Sequence, residues 1–116
     1  METTGGQIAC PTFAEIVEAN RTIIERYGGR FSGTNNLKEE GALKWVLDAI
    51  QHPFSDGTHL YPTLVKKATA LTWKIIAGHV FWDGNKRTGM SVGLTLLKWN
   101  GAVITATDEE IEEVAL

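Results

Sequence analysis

The stretch Gly78-His79-Val80-Phe81-Trp82-Asp83-Gly84-Asn85-Lys86-Arg87-Thr88-Gly89 decides how this 116-residue chain is read. It sets a His, an Asp, an Asn, a Lys, an Arg and a Thr between two apolar segments of helical period. Polar groups buried unpaired next to a core are costly, so this composition points to a ligand. Gly84 and Gly89 let the backbone turn tightly and come close to that ligand. A helix starting near Asn85 aims its unsatisfied N–H groups and positive dipole end at the loop, which makes an anion site. Lys86 and Arg87 are unfavourable in a first helical turn, and a polyphosphate bound there would offset them. Histidine titrates near neutrality, so His79 is the candidate base. Asp83 is a hard oxygen ligand suited to Mg²⁺ bridging phosphates. Blander readings stand beside these. His79 could be a packing histidine, Asp83 a helix N-cap, Asn85 a turn residue, and Lys86 with Arg87 a solvated pair. Phe81 reads as a core anchor, and Trp82 as either packing or a substrate contact.

Working outward, residues 86–100 are apolar on nearly all sides (Met90, Val92, Leu94, Leu96, Leu97, Trp99), which predicts a central buried helix. Gly89 and Gly93 within it allow close helix contacts. Upstream, Thr63 can cap a helix carrying Leu64, Val65, Ala68, Leu71, Thr72, Ile75 and Ile76 and ending near Gly78. Lys66 and Lys67 read as a solvated face, and His52 and His59 as surface residues. Residues 55–62 have turn composition around Asp56-Gly57 and predict a short hairpin or flap. Asn36 with Glu39 could form a capping box for a helix with Leu43, Val46, Leu47 and Ile50, closed by Pro53. Thr12 with Glu15 is another, followed by Phe13, Ile16, Val17, Asn20, Ile23, Ile24 and Tyr27, and stopped by Gly28-Gly29. Downstream, Asn100-Gly101 ends a helix, Val103-Ile104 is extended, and Thr107 with Glu110 caps a last helix cut at Leu116. Trp45, Trp73 and Trp99 fall at core spacing. No strand alternation appears, so the expectation is one all-α domain over residues 1–116 with a short β-hairpin flap.

Composition bounds the class. Hydrophobic residues make up 43% and charged residues 22%, which fits a globular chain. The net charge of -3 argues against a nucleic-acid binder. It hides an asymmetry, because Asp108, Glu109, Glu110, Glu112 and Glu113 crowd the end. Between Pro62 and Asn100 the charges are Lys66, Lys67, Lys74, Lys86, Arg87 and Lys98 against Asp83 alone. The single cysteine, Cys10, fits a reducing compartment. No secretory signal is legible, and the longest apolar stretch, residues 88–97, is far short of the ~20 residues a membrane span needs. A soluble cytoplasmic protein is expected. No Gly-x-x-x-x-Gly-Lys-(Ser/Thr) occurs, so a P-loop kinase is excluded.

The central segment resembles the Fic/Doc signature, His-x-Phe-x-(Asp/Glu)-Gly-Asn-(Gly/Lys)-Arg, matched by His79, Phe81, Asp83, Gly84, Asn85 and Arg87. Lys86 stands where many Fic enzymes have Gly, and Met90 where AMP-transferring members carry a second Arg. Both departures resemble the Doc ("death on curing") branch, as do Tyr27-Gly28-Gly29 and residues 96–101 with Val103. The resemblance covers roughly residues 13–113. It implies an all-helical Fic fold with the motif on a loop and helix start. Fic enzymes usually transfer AMP from ATP to a hydroxyl side chain. Doc toxins bind the nucleotide in the reverse sense and transfer the γ-phosphate to a threonine of elongation factor Tu. A prevent-host-death antitoxin holds them inactive.

Carried onto this chain, the resemblance makes His79 the catalytic base and Asp83 the Mg²⁺ ligand. Gly84, Asn85, Lys86 and Arg87 would bind ATP phosphates, with Phe81 structural. Asp56, Gly57, Thr58, His59, Leu60 and Tyr61 would form the flap that aligns the protein substrate. Lys adds bulk and charge where Gly would admit a phosphate close to the backbone, so a different nucleotide pose and phosphoryl transfer are expected. AMP transfer is the runner-up. A catalytically weak module acting through antitoxin contact is the reading from another class. No direct nucleic-acid or membrane partner is expected. Doc-like chains usually continue through a further helix, so a shortened C-terminus is expected too.

Overall fold

The computed structural model describes residues 7–103. Four helices follow in order: α1 (Phe13–Tyr27), α2 (Glu40–Gln51), α3 (Leu64–Ala77) and α4 (Asn85–Trp99). They pack as a ring, α1 on α2, α2 on α3, α3 on α4, and α4 back on α1. The core inside the ring comes from Ile16 of α1, Leu43, Val46, Leu47 and Ile50 of α2, Leu64, Ala68, Leu71 and Ile75 of α3, and Val92 and Leu96 of α4. Val80 and Phe81, from the loop between α3 and α4, are buried in the same cluster. The all-α class is what the periodicity predicts.

Local chemistry explains most helix ends. Thr12 Oγ1 accepts from Glu15 N–H at 3.1 Å, and Glu15 Oε1 accepts from Thr12 N–H at 2.9 Å. This is the predicted capping box, a device that stabilises a helix start by about 1 kcal/mol. Gly28, at φ 84, closes α1 with its N–H on Ile24 O. Thr63 caps α3 through Lys66 N–H. The second capping box does not form. Glu39 is the N-cap of α2 and makes no side-chain cap. Asn36 is buried at φ 59 and spends its amide elsewhere, because left-handed backbone points the chain away from the helix start.

Helix α4 is not buried all round. A ring gives it two covered sides, and Trp99 is half-exposed. Its α3 side is built from glycines. A Cβ on Gly89 would lie 2.8 Å from Ile76 Cγ1 and 3.0 Å from Thr72 O, and one on Gly93 would overlap Thr72 Oγ1. Thr72 Oγ1 donates to Gly89 O at 3.0 Å across this contact. Trp45 and Trp73 are also exposed, at 49% and 67%, so none of the three expected core tryptophans is core. Lys74 Nζ lies 4.8 Å from the Trp45 ring, where an aromatic face meets a cation rather than the interior.

Three other expectations change. Lys66 is exposed, but Lys67 is 1% exposed and so is no solvated residue. His59 is half-buried against it. Residues 55–62 make a turn and no hairpin, and no strand ladder occurs among the described residues. Phe54 N–H donates to Thr58 O at 2.7 Å and Gly57 N–H to Phe54 O at 2.9 Å. Pro53 and Pro62, which flank the turn, have no N–H to donate to a ladder. At the other end, Ala9 N–H donates to Asn100 Oδ1 at 2.9 Å, and Asn100 Nδ2 to Ala9 O at 2.7 Å. That pair ties the segment before α1 to the end of α4. The predicted helix opened by Thr107 and Glu110, Ile104 and the acidic end all lie outside the described residues.

Candidate active site

The site is a loop between two helix ends. Helix α3 stops at Gly78, whose N–H reaches back to Lys74 O, and Val80 N–H donates to Ile75 O. Between them His79 takes a positive φ of 47, uncommon for a side-chain-bearing residue. This turns the chain so that Val80 and Phe81 enter the core while His79 stays exposed. Phe81, fully buried, is the anchor the sequence predicts.

Residues 36–39 run alongside. Leu37 and Phe81 face each other as an antiparallel bridge. Lys38 and Glu39 N–H groups both donate to Val80 O, and Trp82 N–H donates to Asn36 O at 3.0 Å. Asn85 closes the loop from within. Its Oδ1 accepts from Phe81 N–H at 2.9 Å, and its Nδ2 donates to Phe81 O at 2.8 Å. In the structure Asn85 is therefore a loop clamp, the turn role weighed against phosphate binding.

Gly84 is the N-cap of α4, left-handed at φ 75, and no side chain caps that end. The left-handed φ favours glycine, and a Cβ there would fit tightly, 3.0 Å from Ile24 Cδ1 and 3.1 Å from Asn20 Nδ2. Asp83 is not the cap. Its Oδ1 accepts from Gly84 N–H at 2.9 Å and its Oδ2 from Arg30 N–H at 2.8 Å. The Arg30 N–H, then the Gly84 N–H, hold the carboxyl below its ordinary range, with the Arg30 charge adding to them. Each oxygen keeps lone-pair capacity. Among the described residues no three His, Cys, Asp or Glu side chains cluster as metal ligands. A lone, preorganised carboxylate suits an ion such as Mg²⁺ that takes its remaining ligands from water and phosphate.

A buried polar network beneath the loop was not legible as part of the site. Asn20 Nδ2 donates to Asp83 O at 2.9 Å and to Thr88 Oγ1 at 3.0 Å, and Asn36 Nδ2 donates to Asn20 Oδ1 at 3.0 Å. Asn36 Oδ1 in turn accepts from Ser32 N–H at 2.8 Å. Asn20, Asn36 and Thr88 are each fully buried. The one signal was Asn20 itself, an amide inside the apolar stripe of α1, where a polar side chain needs partners.

Cations gather around this loop. The Arg87 guanidinium lies 4.1 Å from the Tyr27 ring centre, and that of Arg30 lies 4.5 Å from Trp82. Lys38 Nζ approaches Trp82 from 5.4 Å, and Lys86 is exposed on the first turn of α4. Trp82 is thus a half-exposed ring that two cations approach. The 55–62 turn belongs to the connection between α2 and α3. A separate cleft lined by Cys10, Phe13, Lys44, Leu47 and Gln51 contains no motif residue. Burial, then the Glu15 charge, pushes the Cys10 thiol up to about 11, which keeps it protonated and unreactive.

Residues 11–97 match the model of the Fic/DOC family. This chain belongs to the Fic/DOC family. The Fic/DOC chain is also 33% identical over 78 residues to the Toxin Doc of Mycolicibacterium smegmatis, a match covering 66% of this chain and 58% of that protein. The match thus spans less than two thirds of that relative's length. Among the described residues, no helix is long and apolar enough to cross a membrane.

Proposed function

We propose that this chain is a Doc-type toxin that transfers the γ-phosphate of ATP to a threonine of elongation factor Tu and so arrests translation. The observation that carries the reading is the arrangement of one exposed base and one preorganised carboxylate at an uncapped helix start. His79 stands exposed on a left-handed residue, and Asp83, four positions on, is aimed by two backbone N–H groups. In the reaction, the target hydroxyl oxygen bonds to the γ-phosphorus while its proton passes to His79. The bond from phosphorus to the β–γ bridging oxygen breaks, and ADP leaves. Lys86, Arg87 and the backbone near Gly84 would bind the phosphates, with Asn85 fixing the loop that presents them. A Mg²⁺ held by Asp83 would neutralise phosphate charge when bound. The 55–62 turn would align the target.

Lys86 in place of glycine and Met90 in place of a second arginine favour phosphoryl over adenylyl transfer. The similarity to a Toxin Doc supports control by a prevent-host-death type antitoxin, and action in the cytoplasm follows from the proposed target. Incubation with α- or γ-labelled ATP and mass spectrometry of elongation factor Tu test the reaction. Label from the γ-position and a gain of one phosphate on a threonine are expected, while label from the α-position would sink the proposal in favour of AMP transfer. Growth arrest on expression should vanish with His79→Ala. Equal arrest by that variant would mean that binding alone is the mechanism.

A further inference from the structure

We propose that Lys67 is a positioning residue that holds the 55–62 loop through His59. The role rests on the reading above, in which that loop aligns the target. Lys67 lies in the second turn of α3 and is 1% exposed, among the largest fully buried side chains of the molecule. Lysine is almost never fully buried unless paired. Its ammonium meets His59 Nδ1 at 3.2 Å. The ion pairs among the described residues are elsewhere: Arg21 with Glu18, Lys44 with Glu40, and His52 with Asp48.

An ammonium donates and cannot accept. His59 Nδ1 must then offer its lone pair, which puts the ring hydrogen on Nε2. The charged groups on the surrounding elements do not alter this assignment. On the loop, Asp56 is held by Thr58 N–H and Oγ1–H, at 3.0 and 2.6 Å. On α2, Asp48 and Glu40 take the partners just named. Lys66 on α3 is a further cation, as are Lys86, Arg87 and Lys98 on α4. The hydrogen bond therefore stands as a tie between the loop and α3.

The tie has a mechanical consequence. The hydrogen bonds of Phe54, Asp56, Gly57 and Thr58 stay inside the turn. His59 with Lys67 links the end of that turn to α3. Burial lowers the proton affinity of Lys67, which agrees with an ammonium that has no countercharge among the described residues.

The test uses nitrogen-detected NMR and hydrogen exchange on the full chain. In the wild type His59 should be the Nε2–H tautomer at neutral pH. In Lys67→Met the donor to Nδ1 is gone, so the Nδ1–H tautomer should gain population at the expense of Nε2–H. The amides of Phe54 and Thr58 should exchange about tenfold faster in Lys67→Met and in His59→Ala, while those of α4 keep their rates. His59→Ala changes a half-buried loop residue, so it carries the test if Lys67→Met fails to fold. An unchanged His59 tautomer balance in folded Lys67→Met, or unchanged loop exchange in folded His59→Ala, would overturn the proposal. In the kinetic arm, Lys67→Met should raise the KM for the target protein. If the wild type phosphorylates no target, the functional reading falls, and the exchange data still decide whether the tie exists.

Discussion

Asp83 shows how a single side chain acquires a job from its neighbours. Two backbone N–H groups from different parts of the chain fix both carboxylate oxygens. The folded protein therefore prefers the ionised form, and that preference stabilises the fold above the unfolded carboxyl pKa of about 3.9. It is lost as the pH falls below that value and through the lower folded-state pKa. Urea unfolding between pH 7 and pH 2.5 should show the wild type above Asp83→Asn near neutrality, with the gap closing below about pH 4. A gap that stays constant across the whole range would mean that the carboxylate is not held in its charged form. The residues holding Asp83 were harder to read than Asp83 itself. The sequence announces a carboxylate beside Gly84 and Asn85. It does not announce that Arg30 N–H, 53 residues away, supplies a hydrogen bond. Asn20 fits the helical spacing of its neighbours, so periodicity absorbed it as core. Lys67 was misread for the matching reason: lysine defaults to the surface, and only the placement of His59 shows otherwise.

At the scale of elements, the α3–α4 contact governs how far the two ends of the site loop stand apart. Thr72 on α3 fills the space left by Gly89 and Gly93 on α4. Gly93→Ala gains about 1 kcal/mol of helix propensity, yet overpacking typically costs 1–3 kcal/mol, so a net loss of about 1 kcal/mol is expected. Thr72→Ala should lower the cost of Gly93→Ala, because the overlapping Oγ1 is gone. Chemical denaturation of the two single variants and the double would reveal this as a coupling energy of about 1 kcal/mol. Strictly additive effects would mean that the helices separate instead. The four helices were legible because caps and apolar stripes are local signals. The 55–62 turn and the exposed tryptophans were not. Whether Trp45 or Trp73 faces inward depends on which helix lies beside it, and period alone does not carry that information. The motif loop was legible as a site because its residue types are expensive anywhere else.

For the whole molecule, Asn100 is the clasp. It ends α4 and binds both backbone groups of Ala9, while its Nδ2 also reaches Leu96 O at 2.7 Å. Asn100→Ala should cost about 1–2 kcal/mol, read as a thermal midpoint lower by several degrees. Exchange of the Ala9 amide should rise with it, and an unchanged midpoint would show that the ends contribute nothing to global stability. The hydrogen bonds that shape the motif loop also span the chain: Asn20 reaches Asp83 across 63 positions and Thr88 across 68. The motif is consequently not a portable cassette. Transplanted between two helices of a foreign scaffold, residues 78–89 would keep every reactive side chain and lose Asn20, Arg30 and Asn36, the groups that bend the loop into shape. A working graft has to carry residues 20–39 along with it, so this chemistry can be inherited only as a whole domain.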